Sequence, residues 1–76
     1  SSIINVFPNP AKSSCTITSA KTIKQIKIFD LSARICKLNY PNAMTSVLNL
    51  GNLSKGIYTI EIITQKESVK RQLIVQ

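Results

Sequence analysis

Apolar and polar residues alternate along much of this chain with the period of a strand. The clearest case follows a polar turn that ends at Gly56, where Tyr58, Ile60 and Ile62 are separated by polar residues. A period of two is typical of a strand with one buried and one exposed face. Gly56 supplies the backbone freedom that a sharp turn needs. We therefore predict a central strand over Tyr58–Ile62, around which the other strands pair.

Six further segments have the composition of short strands. They are rich in β-branched residues, and polar or proline-containing stretches separate them. An amphipathic helix is the alternative for residues 21–29, but Ile28 fits helical spacing poorly. Seven strands without a convincing helix predict an all-β fold, a small antiparallel β-sandwich. The six further strands are predicted at Ile3–Phe7, Cys15–Thr18, Lys24–Phe29, Ile35–Tyr40, Val47–Leu50 and Val69–Val75.

The alternation also assigns side chains to faces. In the return strand of a predicted hairpin, Cys36, Leu38 and Tyr40 share one apolar face. Leu53 stands alone in a loop, which predicts a plug over one end of the core. Arg71 interrupts the apolar face of the last strand, so either the strand bulges there or the side chain extends its charge to the rim.

The two cysteines, Cys15 and Cys36, leave two interpretations open. Both fall on the apolar side of their strands, where a free thiol packs like a small hydrophobic residue. The other interpretation is a disulfide that closes a loop of about 20 residues and stabilises the domain by about 3 kcal/mol. The chain contains no His and no closely spaced cysteine pair, so no metal site is predicted.

The net charge of the chain and the distribution of its basic residues limit the classes of partner that it can bind. The chain has 10 basic and 3 acidic residues in 76, a net charge of +7. Its lysines are scattered and do not alternate with aromatic residues, so a nucleic-acid partner is not predicted. Scattered lysines of this kind keep a protein soluble and protect its strand edges from pairing with other chains. The alternative interpretation is that they attract an anionic partner. No apolar run reaches the roughly 20 residues of a membrane-spanning helix, so membrane insertion is not expected.

Catalytic chemistry is not predicted. The acidic residues are Asp30, Glu61 and Glu67, which fall in a turn, on an exposed strand face and in a second turn. Without His there is no Ser-His or Cys-His nucleophile pair, and no glycine-rich phosphate loop is present. Asp30 and Arg34 are expected to form a surface ion pair across the reversal between two strands. The sequence therefore predicts a protein without catalytic residues or a cofactor.

Four motifs together resemble the C-terminal sorting domains (type A) of the type IX secretion system of Bacteroidetes. Residues 7–11 (FPNPA) are similar to the opening aromatic-PNP motif, and residues 28–34 (IFDLSAR) to the reversal of that family. Residues 53–58 (LSKGIY) resemble its L-x-x-G-x-Y motif, and a basic last strand at Lys70-Arg71 completes the set. Each motif alone is weak, whereas their order and spacing match over nearly the whole chain.

The resemblance implies one seven-stranded, immunoglobulin-like sandwich over residues 1–76, at the C-terminus of a larger exported protein. It implies an address that the type IX secretion machinery recognises, a fused N-terminal cargo and cleavage by a sortase. The implied route leads through the periplasm to the cell surface or the medium. The motif positions are the implied recognition residues: Pro8, Asn9, Pro10, Asp30, Arg34, Lys55, Gly56, Tyr58, Lys70 and Arg71.

The chain departs from the family at one position of the reversal. The family usually has Gly where this chain has Ala33, so a positive φ there would be costly. The family commonly has aliphatic core residues at the positions of Cys15 and Cys36, which implies that both are buried. The alternative function is a glycan-binding or spacer β-sandwich of a secreted enzyme, which would expose aromatic residues in a row.

Overall fold

A computed structural model describes residues 3–76. They form an all-β structure, as the alternation predicts, and all pairings between the named strands are antiparallel. Within this range no helix has the length and apolarity that crossing a membrane requires. The strands are β1 (Ile4–Phe7), β2 (Ser14–Phe29), β3 (Ile35–Asn39), β4 (Ala43–Asn49), β5 (Gly56–Thr64) and β6 (Ser68–Val75).

One long strand, β2, replaces two of the predicted strands. Cys15–Thr18 and Lys24–Phe29 are its two halves, and residues 19–22, which we expected to be a loop, continue the strand. The described residues therefore contain six strands, not seven. The register of β2 against β4 shifts between Thr18 and Ile23, and the register of β2 against β5 shifts between Ile23 and Gln25. The polar composition of this stretch reflects its exposure at a bend.

The bend places the two halves of β2 in different layers. The first half lies between β1 and β4, and the second half lies between β3 and β5, with β6 beyond β5. The three-stranded layer is thus β1-β2-β4, and the four-stranded layer is β3-β2-β5-β6. The predicted small β-sandwich is confirmed. Its central strand is β2, which pairs with four strands, whereas β5 pairs with two.

A single apolar core fills the space between the layers. Tyr58, Ile60 and Ile62 of β5 are buried, as their spacing predicts, and Leu53 packs against the core as the predicted plug. The core takes side chains from both layers, so neither layer can bury its apolar face without the other. The buried apolar residues are Ile4, Ala11, Cys15, Ile17, Ile23, Ile26, Ile28, Leu48, Leu50, Tyr58, Ile60, Ile62, Leu73 and Val75.

The face assigned to β3 is wrong. Cys36, Leu38 and Tyr40 share a face, but that face is exposed. In the ladder with β2, Lys37 pairs with Ile28 and Ile35 pairs with Phe29, which leaves Cys36 as an extra residue. A slip of one residue exchanges the buried and exposed faces of a strand. Local alternation groups the three side chains correctly but does not determine which face points inward.

Two other predictions about strands are refined. Strand β4 begins at Ala43, earlier than the predicted start at Val47, while Leu48 and Leu50 are both buried as their shared phase predicts. The register of β5 against β6 is continuous at Arg71, and the Arg71 side chain is exposed. Of the two alternatives for Arg71, the structure therefore supports the extension of its charge to the rim.

Candidate functional site

Three of the four sequence motifs converge at one end of the four-stranded layer, and the fourth, Lys70-Arg71, lies further along β6. The register places Gly56, the first residue of β5, opposite Val75, near the end of β6. The reversal that follows Phe29 is held next to Thr59, so it lies at the same end. The opening motif reaches this end through Asn9, which contacts the outer edge of β6. We call this region the motif end.

Asn9 completes the edge of β6 with its side chain. Its Nδ2 donates to the carbonyl of Gln72 at 2.7 Å, and its Oδ1 accepts from the amide of Ile74 at 3.0 Å. The backbone continues this pairing, since the amide of Ala11 donates to the carbonyl of Ile74 at 2.7 Å. The Asn9 amide therefore acts as one more peptide group in the ladder, and the opening motif covers the C-terminal part of an otherwise open strand edge.

Pro8 and Pro10 flank this contact, and the peptide bonds that precede them are both cis. Both prolines are exposed, while Ala11 is fully buried. The amide of Gln76 donates to the carbonyl of Ala11 at 2.7 Å. The proline-containing segment after β1 thus leaves the three-stranded layer and joins the last strand of the other layer.

Asp30 holds the reversal together. Its Oδ1 accepts from the amides of Ser32 at 2.8 Å and of Arg34 at 3.0 Å. Its Oδ2 accepts from Nε of Arg34 at 3.1 Å, which is the predicted ion pair. The Arg34 side chain is 80% exposed, so this pair contributes little beyond orienting the turn. Asp30 is therefore a turn-forming residue, and the carboxylate is already occupied within the chain.

The hydrogen bond from the Arg34 amide is the main cause that lowers the pKa of Asp30 below its ordinary value of 3.8. The bond from the Ser32 amide and the charge of Arg34 act in the same direction. Because the folded-state pKa is lowered, the ionised carboxylate stabilises the fold above the unfolded-state pKa. That contribution is lost as the pH falls through the folded-state value.

Ala33 has the left-handed conformation that the comparison with the family motif suggests. Its φ is 64°, and its amide donates to the carbonyl of Asp30 at 3.0 Å. A left-handed L-residue is strained by about 1–2 kcal/mol, because Cβ approaches the neighbouring carbonyl oxygen. This chain therefore retains a small local strain where glycine would relieve it.

We expect Ala33→Gly to raise the free energy of unfolding by about 0.5–1 kcal/mol, because removing Cβ relieves more strain than the added chain entropy costs. Urea denaturation followed by circular dichroism measures this difference. Ala20→Gly is the matched control, since Ala20 is an exposed strand residue where glycine destabilises by a similar amount. A decrease in stability for both variants would contradict the assigned conformation.

The third motif builds the start of β5. Gly56 has a φ of 157°, in a region that L side chains rarely adopt, so the glycine is required by the backbone. The Tyr58 hydroxyl donates to the carbonyl of Ser54 at 2.6 Å and ties the preceding loop to the core. This arrangement is similar to the tyrosine corner of immunoglobulin-like sandwiches. Tyr58 and Gly56 therefore have structural roles.

The charged motif residues have more freedom. Lys55, Lys70 and Arg71 are exposed, and the ion pair of Arg34 with Asp30 is the one salt bridge among residues 3–76. A hydrogen bond from Nη1 of Arg71 to the carbonyl of Lys70 stays within the strand. The charged ends of these three side chains are therefore exposed and form no salt bridge within the described chain.

The two cysteines lie in different layers and environments. Cys15 is fully buried, and burial raises the pKa of its thiol. Cys36 is exposed on β3, so the burial that the resemblance implies is wrong for this residue. Both thiols are free within the described chain, and the candidate disulfide is not formed. The same stretch, residues 3–76, contains no group of three or more side chains that could hold a metal ion.

Sequence reasoning missed an exposed apolar surface on the four-stranded layer. The alternation predicts Leu38 and Tyr40 on a buried face, and the reversal motif predicts only a turn at Leu31, yet all three side chains are exposed. The signal in the sequence is the excess of apolar residues in the strands, more than one face of a narrow core can bury. This surface adjoins the motif end through Phe29 and Leu31, which line one shallow depression with Lys70.

Comparison with known proteins identifies the family. A family model described as secretion system C-terminal sorting domain matches residues 5–76. The chain therefore belongs to the family of C-terminal sorting domains, which is the family that its four motifs resemble. No curated protein sequence matches the chain at a significant level.

A solved structure supports the fold. It is that of PorZ, described as an essential bacterial surface component of the type-IX secretion system of Porphyromonas gingivalis. The TM-score is 0.77 at 21% identity, over 96% of this chain. This chain corresponds to only 11% of that chain, so the similarity concerns one domain of a much larger protein.

Proposed function

We propose that this chain is the C-terminal address of a larger exported protein. It carries an N-terminal cargo from the periplasm through the type IX secretion machinery to the cell surface or the medium. The observation that carries the proposal is the agreement of the family match over residues 5–76 with four ordered motifs, three of which meet at one end of the sandwich. A domain of this kind acts by being recognised and needs no catalytic residues.

The internal contacts of the motifs explain why an address should be a folded domain. Asn9, Asp30 and Tyr58 each use their polar atoms to hold a turn or a strand edge in place. They thereby fix a surface that carries the exposed cations Lys55 and Lys70. A fixed surface binds a receptor without the cost of ordering a flexible segment, and positive charge accelerates encounter with an anionic one.

We further propose that a sortase removes this domain after export. Cleavage would separate the folded address from its cargo, and the cargo would remain at the surface or be released. The aromatic residues do not favour the alternative glycan-binding function. Phe7 belongs to the three-stranded layer, Phe29 and Tyr40 to strands of the other layer or their ends, and Tyr58 is buried, so they form no row for stacking on sugars.

The test is a fusion of residues 1–76 to the C-terminus of a periplasm-targeted reporter in a host with a working type IX system. We expect the reporter at the cell surface or in the medium, shortened by about the mass of the domain, 8.4 kDa. The same fusion in a strain without a functional translocon is the control and should stay periplasmic. Retention of the reporter in the periplasm of the competent host would contradict the sorting function.

A further inference from the structure

The outward side of the four-stranded layer combines apolar and charged side chains in an ordered way. Paired residues on neighbouring strands point to the same side, so the register defines rows across the layer. One row runs Leu38, Lys27, Glu61, Lys70. The adjacent row towards the motif end runs Ile35, Phe29, Thr59, Gln72. We call this surface the outer face, defined by Lys27, Phe29, Leu38, Thr59, Glu61 and Lys70.

Large apolar side chains are exposed on and beside the outer face. Ile35, Leu38 and Ile57 are each about half exposed, and Leu31 in the adjoining reversal is 80% exposed. A cluster of exposed large apolar side chains, unlike a single exposed one, indicates a surface that a partner covers. The exposure of Leu31 is not a consequence of poor folding, because the turn that carries it is fixed by the hydrogen bonds of Asp30.

Leu31 lines two shallow depressions. The first, of about 290 Å³, lies between Phe29, Ala33, Thr59 and Lys70 and also touches Leu31. The second, of about 280 Å³, is also lined by Leu31 and extends to Lys55 and Ile57. A partner that covers Leu31 would bury its exposed apolar surface and could fill both depressions. The shape of this surface therefore suits a partner whose side chains fill the two depressions.

The charge of the outer face is not balanced. Glu61 accepts a hydrogen bond from the hydroxyl of Ser68, and the ion pair within residues 3–76 lies elsewhere, between Arg34 and Asp30. Lys27 and Lys70 flank Glu61 in the same row, so this row carries one excess positive charge. A complementary surface would place carboxylates opposite the two lysines.

We propose that the outer face docks an acidic protein partner, with an apolar side chain of that partner in the depression beside Leu31 and a carboxylate facing Lys70. This inference rests on the proposed sorting function and names the surface that the export machinery contacts. A second copy of the chain is a poor occupant, because two molecules of net charge +7 repel each other. A lipid bilayer is also a poor occupant, because insertion would desolvate the charged row of Lys27, Glu61 and Lys70.

The test uses the reporter fusion with two substitutions on the proposed surface. Leu31→Ser removes the exposed apolar side chain, and Lys70→Glu reverses the charge at position 70. We expect each to lower the exported fraction about 10-fold, as removal of a central interface residue does. Val47→Ser and Lys21→Glu are matched controls, because both residues are exposed but lie outside the outer face. They should change the exported fraction by no more than about 2-fold.

The outcomes separate this inference from the sorting function. If the unmodified fusion is not exported, the sorting function itself fails. If the unmodified fusion is exported and all four variants are exported equally well, the outer face is not the docking surface. Urea unfolding midpoints of the four variants show whether a loss of export follows from a loss of folding. If Leu31→Ser unfolds the domain, the pair Lys70→Glu and Lys21→Glu decides alone.

A vesicle assay tests the alternative class of partner. The purified 76-residue domain is sedimented with vesicles of phosphatidylglycerol and phosphatidylcholine in equal amounts. We expect it to remain in the supernatant at physiological salt. Co-sedimentation that Lys70→Glu abolishes and Lys21→Glu preserves would overturn the protein partner and assign the outer face to a membrane surface.

Discussion

We expect Ile28→Ala to lower the free energy of unfolding by about 3 kcal/mol, within the 2–5 kcal/mol typical of such core truncations. Ile28 is fully buried on β2, where it pairs with Ile60 of β5 and Lys37 of β3. The substitution removes apolar burial and leaves a cavity that a packed two-layer core fills only in part. A domain of 76 residues is stabilised by roughly 4–11 kcal/mol, so the loss is a large share of the total.

Urea denaturation followed by far-ultraviolet circular dichroism measures this change. Ile57→Ala is the matched control, because Ile57 lies on β5 but is 44% exposed, and it should cost less than about 1 kcal/mol. Ile17→Ala, in the other half of β2, should destabilise the same single transition, since both halves contribute to one core. Separate transitions for the two layers would contradict a continuous β2 that joins them.

Asn9→Ala is expected to lower the free energy of unfolding by about 1–2 kcal/mol, the net value of two hydrogen bonds of 0.5–1.5 kcal/mol each. The variant loses both contacts with the edge of β6, to the carbonyl of Gln72 and the amide of Ile74. Water replaces them, but the opening segment then has less to hold it against the last strand. We therefore expect the end of β6 to open more often.

Hydrogen exchange identifies this local effect. The amide of Ile74 should lose protection in Asn9→Ala. The amides that pair β2 with β5 should keep the protection that the global stability of the variant gives them. Asn5→Ala is the control on the same segment, because its side chain donates only a long bond of 3.4 Å to Oγ1 of Thr18. An unchanged Ile74 amide would show that the Asn9 side chain does not complete the edge.

Both predictions concern contacts between residues far apart in the sequence. Such contacts are the features of the fold that the sequence pattern alone does not predict. The alternation of Tyr58, Ile60 and Ile62 predicted their burial, because a strand at the centre of a layer buries every second residue. The same reasoning failed for β3, where an extra residue at Cys36 changes the phase. Alternation fixes which residues share a face, whereas the pairing partner decides which face is buried.

The candidate site shows the same division. The motifs could be located from the sequence because each is a local signal of turn or strand residues. The common position of three of them at one end of the four-stranded layer depends on the register of β5 and β6 and on the crossing of Asn9 to the edge of β6. The exposure of Leu38 beside them could not be predicted, since it depends on the register shift in β3.

The sequence by itself determined the all-β class, the positions of most strands, the reversal at Asp30 and the family to which the chain belongs. These are properties of local composition, spacing and turn chemistry. Only the tertiary structure decided that β2 is one bent strand shared by two layers, that Cys15 is buried while Cys36 is exposed, and that Asn9 closes a strand edge. Those features depend on long-range pairing, in which hydrogen bonds and core packing override the local pattern.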